Sequence, residues 1–288
     1  MKKQTEKTLG REIGHEEFEK EYLPGLVPEK SSLQTTNTGG MLSIFDPVLC
    51  EVLYRWFLPE KATVFDPFAG GSVRGIIAEH LGYKYTGIDL RDDQVEANYN
   101  NAREIFGEHS IKWLIGNSLK LKSLVRKKEF DFVFSCPPYF DLEQYSSDET
   151  DLSNLDWDEF KKQYAQIIQL SLSKLKQDRF ACFVVSDVRD ENGMYRNFVS
   201  ETIEAFHKAG ADLYNEIILV NVAGSLPIRI NRQFQGYRKV GRMHQNVLVF
   251  YKGDPQNIKN FGNVKLPDFI NNNLHKHEKQ PNIDLLQN

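Results

Sequence analysis

The segment Phe132-Val133-Phe134-Ser135-Cys136-Pro137-Pro138-Tyr139 places a hydroxyl, a thiol and an aromatic ring around two prolines at the end of an apolar run. Consecutive prolines fix φ and remove two backbone donors, so the chain is locked into an extended corner. Carbonyls freed there can accept the N–H groups of a planar amino-bearing base while the Tyr139 ring stacks on its face. The plain structural alternative is a rigid turn with Tyr139 packed against the core. Earlier in the chain, Asp66-Pro67-Phe68-Ala69-Gly70-Gly71-Ser72 follows another short apolar run and opens a helix. Gly70 and Gly71 remove side chains where a ligand could approach the backbone. A tight strand-to-helix connection would use the same glycines. The next run ends in Gly87-Ile88-Asp89, whose carboxylate can accept from both hydroxyls of a ribose. Asp89 could equally cap the helix that begins Arg91-Asp92. Gly116-Asn117-Ser118 closes the third run with groups suited to an adenine rim, or simply with turn residues.

These residues need a scaffold that brings them to one edge. Apolar runs at 62–66, 83–89, 111–115, 130–135, 180–187, 213–222 and 245–252 read as strands. Helical spacing fills 72–82, 91–106, 156–176 and 194–209 between them. Strands alternating with helices of this length predict βαβ units and a mainly parallel sheet. The last two runs have no helical pattern between them, so they are expected to form an antiparallel pair joined by a long loop over 223–244. Val48, Leu49, Val52, Leu53, Trp56 and Phe57 recur at helical spacing behind Asp46 and Pro47, which are placed like an N-cap and a first helical residue. The reading divides the chain into an N-terminal arm (1–40), a catalytic domain (41–252) and a C-terminal tail (253–288).

Composition excludes several classes. In 288 residues, 36 Lys+Arg stand against 40 Asp+Glu for a net charge of −4, and 40% of residues are hydrophobic. That is ordinary globular usage, without the signature of disorder or fibrous repeats. No apolar run approaches the roughly 18 residues of a membrane span. The charged N-terminus lacks the apolar stretch of a signal peptide, so a cytoplasmic location is expected. Cys50, Cys136 and Cys182 lie far apart, and the seven histidines form no ligand-like cluster, so neither a disulfide framework nor a metal is expected.

DPFAGG, GID and SCPPY, in this order, resemble the motifs of the S-adenosylmethionine-dependent amino-methyltransferases of DNA, over roughly residues 40–250. The resemblance implies a Rossmann-like class I methyltransferase fold: a seven-stranded, mainly parallel sheet with an antiparallel last strand and helices on both faces. It implies S-adenosyl-L-methionine as cofactor and an exocyclic amino group of adenine or cytosine, flipped out of double-stranded DNA, as target. Asp66, Pro67, Phe68, Gly70 and Gly71 would line the methionine side of the cofactor, with Asp89 on the ribose and Asn117 near the adenine. Pro137 and Pro138 would shape the amino pocket and Tyr139 would stack on the base. The segment 42–47 would add a cofactor contact.

Two departures from the motif matter. The turn reads Gly-Gly-Ser, and the position before Pro-Pro is Cys136, where the family places Asp, Asn or Ser as hydrogen-bond acceptor. A thiol accepts poorly. Ser135 or a carbonyl could replace it; Cys136 could add as thiolate to a pyrimidine ring and direct methylation to carbon, on DNA or RNA; or chemistry is slower. A non-catalytic nucleic-acid-binding protein on the same fold is a further alternative.

Between Glu216 and Asp254 there is no acidic residue, and Arg229, Arg232, Arg238, Lys239 and Arg242 are interleaved with Phe234 and Tyr237. Cations neutralise phosphates and aromatics stack on bases, so this stretch is the candidate nucleic-acid contact. The acidic run from Asp141 to Glu159 is expected to face away from phosphates or to close over the pocket, with Asp141 and Glu143 near a flipped base. No large recognition insertion separates the motifs, so selectivity is expected to be short or delegated to a second copy in a homodimer.

Overall fold

The computed structural model describes residues 45–126, 129–140, 152–221, 226–261 and 264. Strands β1 (Thr63–Asp66), β2 (Lys84–Asp89), β3 (Lys112–Ile115), β4 (Phe130–Ser135), β5 (Leu175–Val185), β6 (Asp212–Val220) and β7 (His244–Lys252) form one sheet of order β3-β2-β1-β4-β5-β7-β6. The pairs from β3 through β5 are parallel, and β7 runs antiparallel to β5. The expected seven strands with a reversed last strand are present. Strand order turns back between β1 and β4, and such a switch point opens a crevice at the carboxyl ends of the two strands. Asp66 and Ser135 are the residues at those ends.

The helices are α1 (Pro47–Phe57), α2 (Val73–His80), α3 (Asp92–Phe106), the single turn α4 (Leu121–Leu124), α5 (Trp157–Lys174), α6 (Phe198–Lys208) and α7 (Leu226–Tyr237). Asp46 caps α1 as its sequence suggests, accepting from the Val48 and Leu49 amides at 2.8 and 3.2 Å. Helix α3 begins one residue beyond Arg91, its N-cap, so Asp89 does not cap it. No helix among the described residues is long and apolar enough to cross a membrane.

Alternation along the buried strands feeds two apolar layers. Phe132 and Phe134 of β4 join Tyr54, Tyr85 and Trp113 on one face, while Val133 joins Phe160, Phe183 and Phe206 on the other. A strand buried on both faces reads as a continuous apolar run, which is how β4 appears in the sequence. In the second layer the rings of Phe206 (α6) and Phe250 (β7) stack at 3.8 Å with 4° between planes, and both are fully buried. Phe206→Ala is therefore expected to cost about 3–5 kcal/mol, read by urea denaturation, because it deletes a fully buried ring and leaves a cavity beside Phe250.

Three boundaries differ from expectation. The stretch 223–244 is not a long loop: it contains α7. Pro227 sits in the first turn, where its missing N–H is harmless, and Leu226, Ile230, Phe234 and Tyr237 recur at helical spacing. The basic residues interrupting that stripe disguise its period. Strand β5 starts at Leu175, directly after α5; the next residues, Lys176, Gln177 and Arg179 among them, are polar and not buried, so no apolar run marks them in the sequence. Pro255–Phe261, assigned to the tail, forms a 3-10 helix whose Ile258 and Phe261 pack on the first apolar layer. Residues 1–40 lie outside the described residues.

The chain divides into two compact units. Among the described residues, one comprises Phe45–Leu219 with those from His244 onward, and the other those within Val220–Met243. The strand-end residues belong to the first, and α7 belongs to the second.

Candidate active site

Asp66 ends β1 fully buried, yet its carboxylate meets four donors. Oδ2 accepts from Arg74 Nε at 2.6 Å and from the Tyr85 hydroxyl at 2.7 Å. Oδ1 accepts from the Phe68 amide at 3.0 Å and from the Ser135 hydroxyl at 2.5 Å. A carboxylate engaged in this way holds the turn in shape; it positions the site rather than touching a ligand. Arg74, on the first turn of α2, also donates to the carbonyls of Phe68 and Ala69 at 2.7 and 2.9 Å. Its guanidinium lies 4.7 Å from the Phe45 ring centroid, which is what that residue of segment 42–47 does in the structure. Burial by itself would lower the Arg74 pKa, but Asp66, with Tyr85 and Cys136, outweighs it and raises the value. The Arg74 guanidinium stays charged inside the protein.

The glycine turn stands above this network. Gly70 has φ +49°, a conformation in which glycine alone carries no side-chain penalty, and a Cβ on Gly70 or Gly71 would meet no atom within 4 Å. The turn thus faces open space at the strand ends. Gly70 donates its amide to Asp89 Oδ2 at 2.8 Å, and its carbonyl accepts from buried Asn98 at 2.7 Å. Asp89 Oδ1 accepts the Arg91 amide at 3.0 Å. Burial raises the Asp89 pKa above the ordinary 3.8, and the two amides pull partly against it. Each oxygen of Asp89 retains lone-pair capacity beyond its one amide. Gly87 has a packing reason of its own, since a Cβ there would stand 2.7 Å from that of Ala69.

The corner after β4 is tied to the same turn. Ser135 Oγ, while donating to Asp66, accepts from the Phe68 amide at 3.2 Å. Ser135 is fully buried and committed, so it does not replace the acceptor that Cys136 lacks. Cys136 itself is half-buried, and Pro137 is buried. Tyr139 packs against the second apolar layer, remains partly exposed, and accepts a hydrogen bond from Gln245 of β7 at 2.6 Å. At the third strand end, Asn117 Oδ1 accepts from the Leu119 amide at 2.8 Å, and buried Ser118 donates to the Pro67 carbonyl at 2.6 Å.

Asp66, Gly70, Gly71, Asp89, Asn117 and Cys136 to Tyr139 thus converge at one sheet edge. Arg74, Tyr85, Asn98 and Gln245 were missed by sequence reasoning. Tyr85 was findable, because alternation puts it on the face of Gly87 and Asp89. Arg74 and Asn98 were not, since a charged or amide side chain on a helix ordinarily faces water. Asp141 and Glu143 lie outside the described residues. The end of the acidic run is no lid: Asp156 caps α5 by accepting from Asp158 and Glu159, which occupy its first turn. Among the described residues no His/Cys/Asp/Glu group could hold a metal.

No family profile matches the chain. A tRNA (guanine(10)-N2)-dimethyltransferase of Pyrococcus abyssi is 34% identical over 76 residues, 26% of this chain and 23% of that protein. The match therefore spans about a quarter of the relative. Among solved structures, the [4+2]-cyclase SpnF superposes with a TM-score of 0.51 at 14% identity, covering 72% of this chain and 81% of that one. TrmN from Thermus thermophilus gives 0.48 at 15%, covering 72% of this chain and 49% of that one, too low to bear weight. The strand order and the reversed β7 decide the architecture. This is the class I methyltransferase fold. Identities this low speak to fold alone.

Proposed function

We propose that the chain is an S-adenosylmethionine-dependent methyltransferase acting on an exocyclic amino group of a base in RNA. The observation that carries this is the Ser135 hydroxyl, which joins Asp66 and the Phe68 amide and so locks the glycine turn against the Cys-Pro-Pro-Tyr corner. A donor seated on the first and a base held by the second would lie side by side. S-adenosylmethionine supplies an electrophilic methyl group when bound. The residues present suit it: the turn at Gly70 and Gly71 is open, and Asp89 keeps lone pairs for ribose hydroxyls. Asn117, at the neighbouring strand end, is the candidate for the adenine. Corner carbonyls would accept the amino N–H groups, drawing the nitrogen lone pair toward the methyl, and Gln245 fixes the Tyr139 ring that would pack on the base.

RNA is favoured over DNA by the Pyrococcus relative, a tRNA (guanine(10)-N2)-dimethyltransferase. The amino target expected from the motif is retained, while the DNA substrate expected with it has no support beyond the motif. Purified protein with methyl-labelled S-adenosylmethionine is expected to label RNA, and nuclease digestion with mass spectrometry to return an N-methylated base. Label in DNA alone, or in no nucleic acid, would overturn the reading. Cys136→Ser is expected to keep or raise that activity, because a hydroxyl accepts better than a thiol. Loss of activity in that variant, with a covalent adduct on 5-fluoropyrimidine RNA in the parent, would instead indicate attack on ring carbon.

A further inference from the structure

Helix α7 contains none of the residues assigned to the strand-end site. Residues 220–243 hold five cations (Arg229, Arg232, Arg238, Lys239, Arg242) and no carboxylate, in a chain of net charge −4. Its aromatic residues are exposed, Phe234 at 42% and Tyr237 at 74%. Each carries a cation at its ring, Arg238 at 5.4 Å from Phe234 and Lys239 at 5.5 Å from Tyr237. Arg238 has a structural duty as well. It takes the left-handed conformation at φ +53°, returns its amide to the Phe234 carbonyl at 2.9 Å, and caps the carbonyls of Phe234 and Gln235 at 3.1 and 3.2 Å. The helix end is thereby rigid, and Tyr237 with Lys239 is presented at it at low entropic cost.

We infer that α7 with its capping turn is an RNA-binding element, on which Tyr237 and Phe234 stack unpaired bases while the positive charge of the stretch, Lys239 included, takes phosphates. Charge complementarity argues for a polyanion. Exposed rings already paired with cations argue for bases as the stacking partners, since every base offers a π-face. A membrane surface is the other anionic partner for a basic helix, but one 12-residue helix with only part of its stripe apolar offers little area to bury in lipid. The inference extends the RNA reading above and rests on it for the choice of RNA, though not for the binding itself.

The test uses the full chain and measures binding rather than methyl transfer. Fluorescence polarisation with a labelled, unmodified tRNA transcript is compared with a DNA duplex of similar length and with phosphatidylserine vesicles. Phe234→Ala/Tyr237→Ala is expected to weaken tRNA binding roughly 10- to 100-fold at fixed salt and to weaken the duplex much less. Arg229→Gln/Arg232→Gln/Lys239→Gln is expected to lower the slope of log affinity against log salt by about 2. Affinity for S-adenosylmethionine should be unchanged in both, which also shows that the variants fold. Unaltered tRNA affinity and salt slope would overturn the inference, as would equal losses on duplex DNA or a loss on vesicles alone. Helix-dependent tRNA binding without any methylated RNA would sink the catalytic reading and leave this one standing.

Discussion

Asp66→Ala is expected to destabilise the protein by about 3–5 kcal/mol in urea denaturation at neutral pH, the range for a buried ion pair that loses one member. The side chains of Asp66 and Arg74 are 0% and 5% exposed, so water cannot replace the missing carboxylate. The Arg74 guanidinium would be left charged in the interior with only two carbonyls. The Tyr85 and Ser135 hydroxyls and the Phe68 amide would each lose an acceptor. Arg55–Glu51 on the surface of α1 provides the contrast, with side chains 41% and 43% exposed. Glu51→Ala there is expected to change stability by less than about 1 kcal/mol. If the two substitutions cost the same, the Asp66 network does not hold the turn.

Asp89→Ala is expected to weaken binding of S-adenosylmethionine roughly 100- to 10,000-fold by calorimetry, the loss of two hydrogen bonds to a charged acceptor. The proposed role also fixes a pH dependence. Ribose hydroxyls donate to the ionised carboxylate, so affinity should be level at neutral pH and decline as pH falls through the Asp89 pKa. Burial raises that pKa above the ordinary 3.8, so the decline begins at higher pH than a free carboxylate would give. Asp89→Asn should bind weakly and without that decline. Folding stability runs the other way for this group. The folded state takes up the Asp89 proton more readily than the unfolded chain, so its contribution is largest below the unfolded value and diminishes as pH rises through the folded one. Unchanged affinity in Asp89→Ala would remove the residue from the cofactor site.

Much of the fold was legible because its signals are local. Asp46-Pro47 announces the start of α1 through two residues whose own geometry makes a cap. The strands β1 to β4 appear as short apolar runs because both faces are buried, and helical spacing between them fixes parallel pairing. A helix was missed at 226–237 for the same kind of reason: its stripe is broken by cations, and the aromatics in it are exposed, so no burial pattern marks its period.

By itself the sequence determined the alternation of strands and helices, the open glycine turn and the proline corner, since each depends on residues adjacent in the chain. Only the tertiary structure decided that Asp66 is a buried anchor, that Ser135 is spent on it, and that Gln245 reaches Tyr139. Those contacts join residues tens of positions apart across β1, β4 and β7, and the register that brings them within hydrogen-bond distance is set by packing both faces of one sheet, which no local pattern encodes.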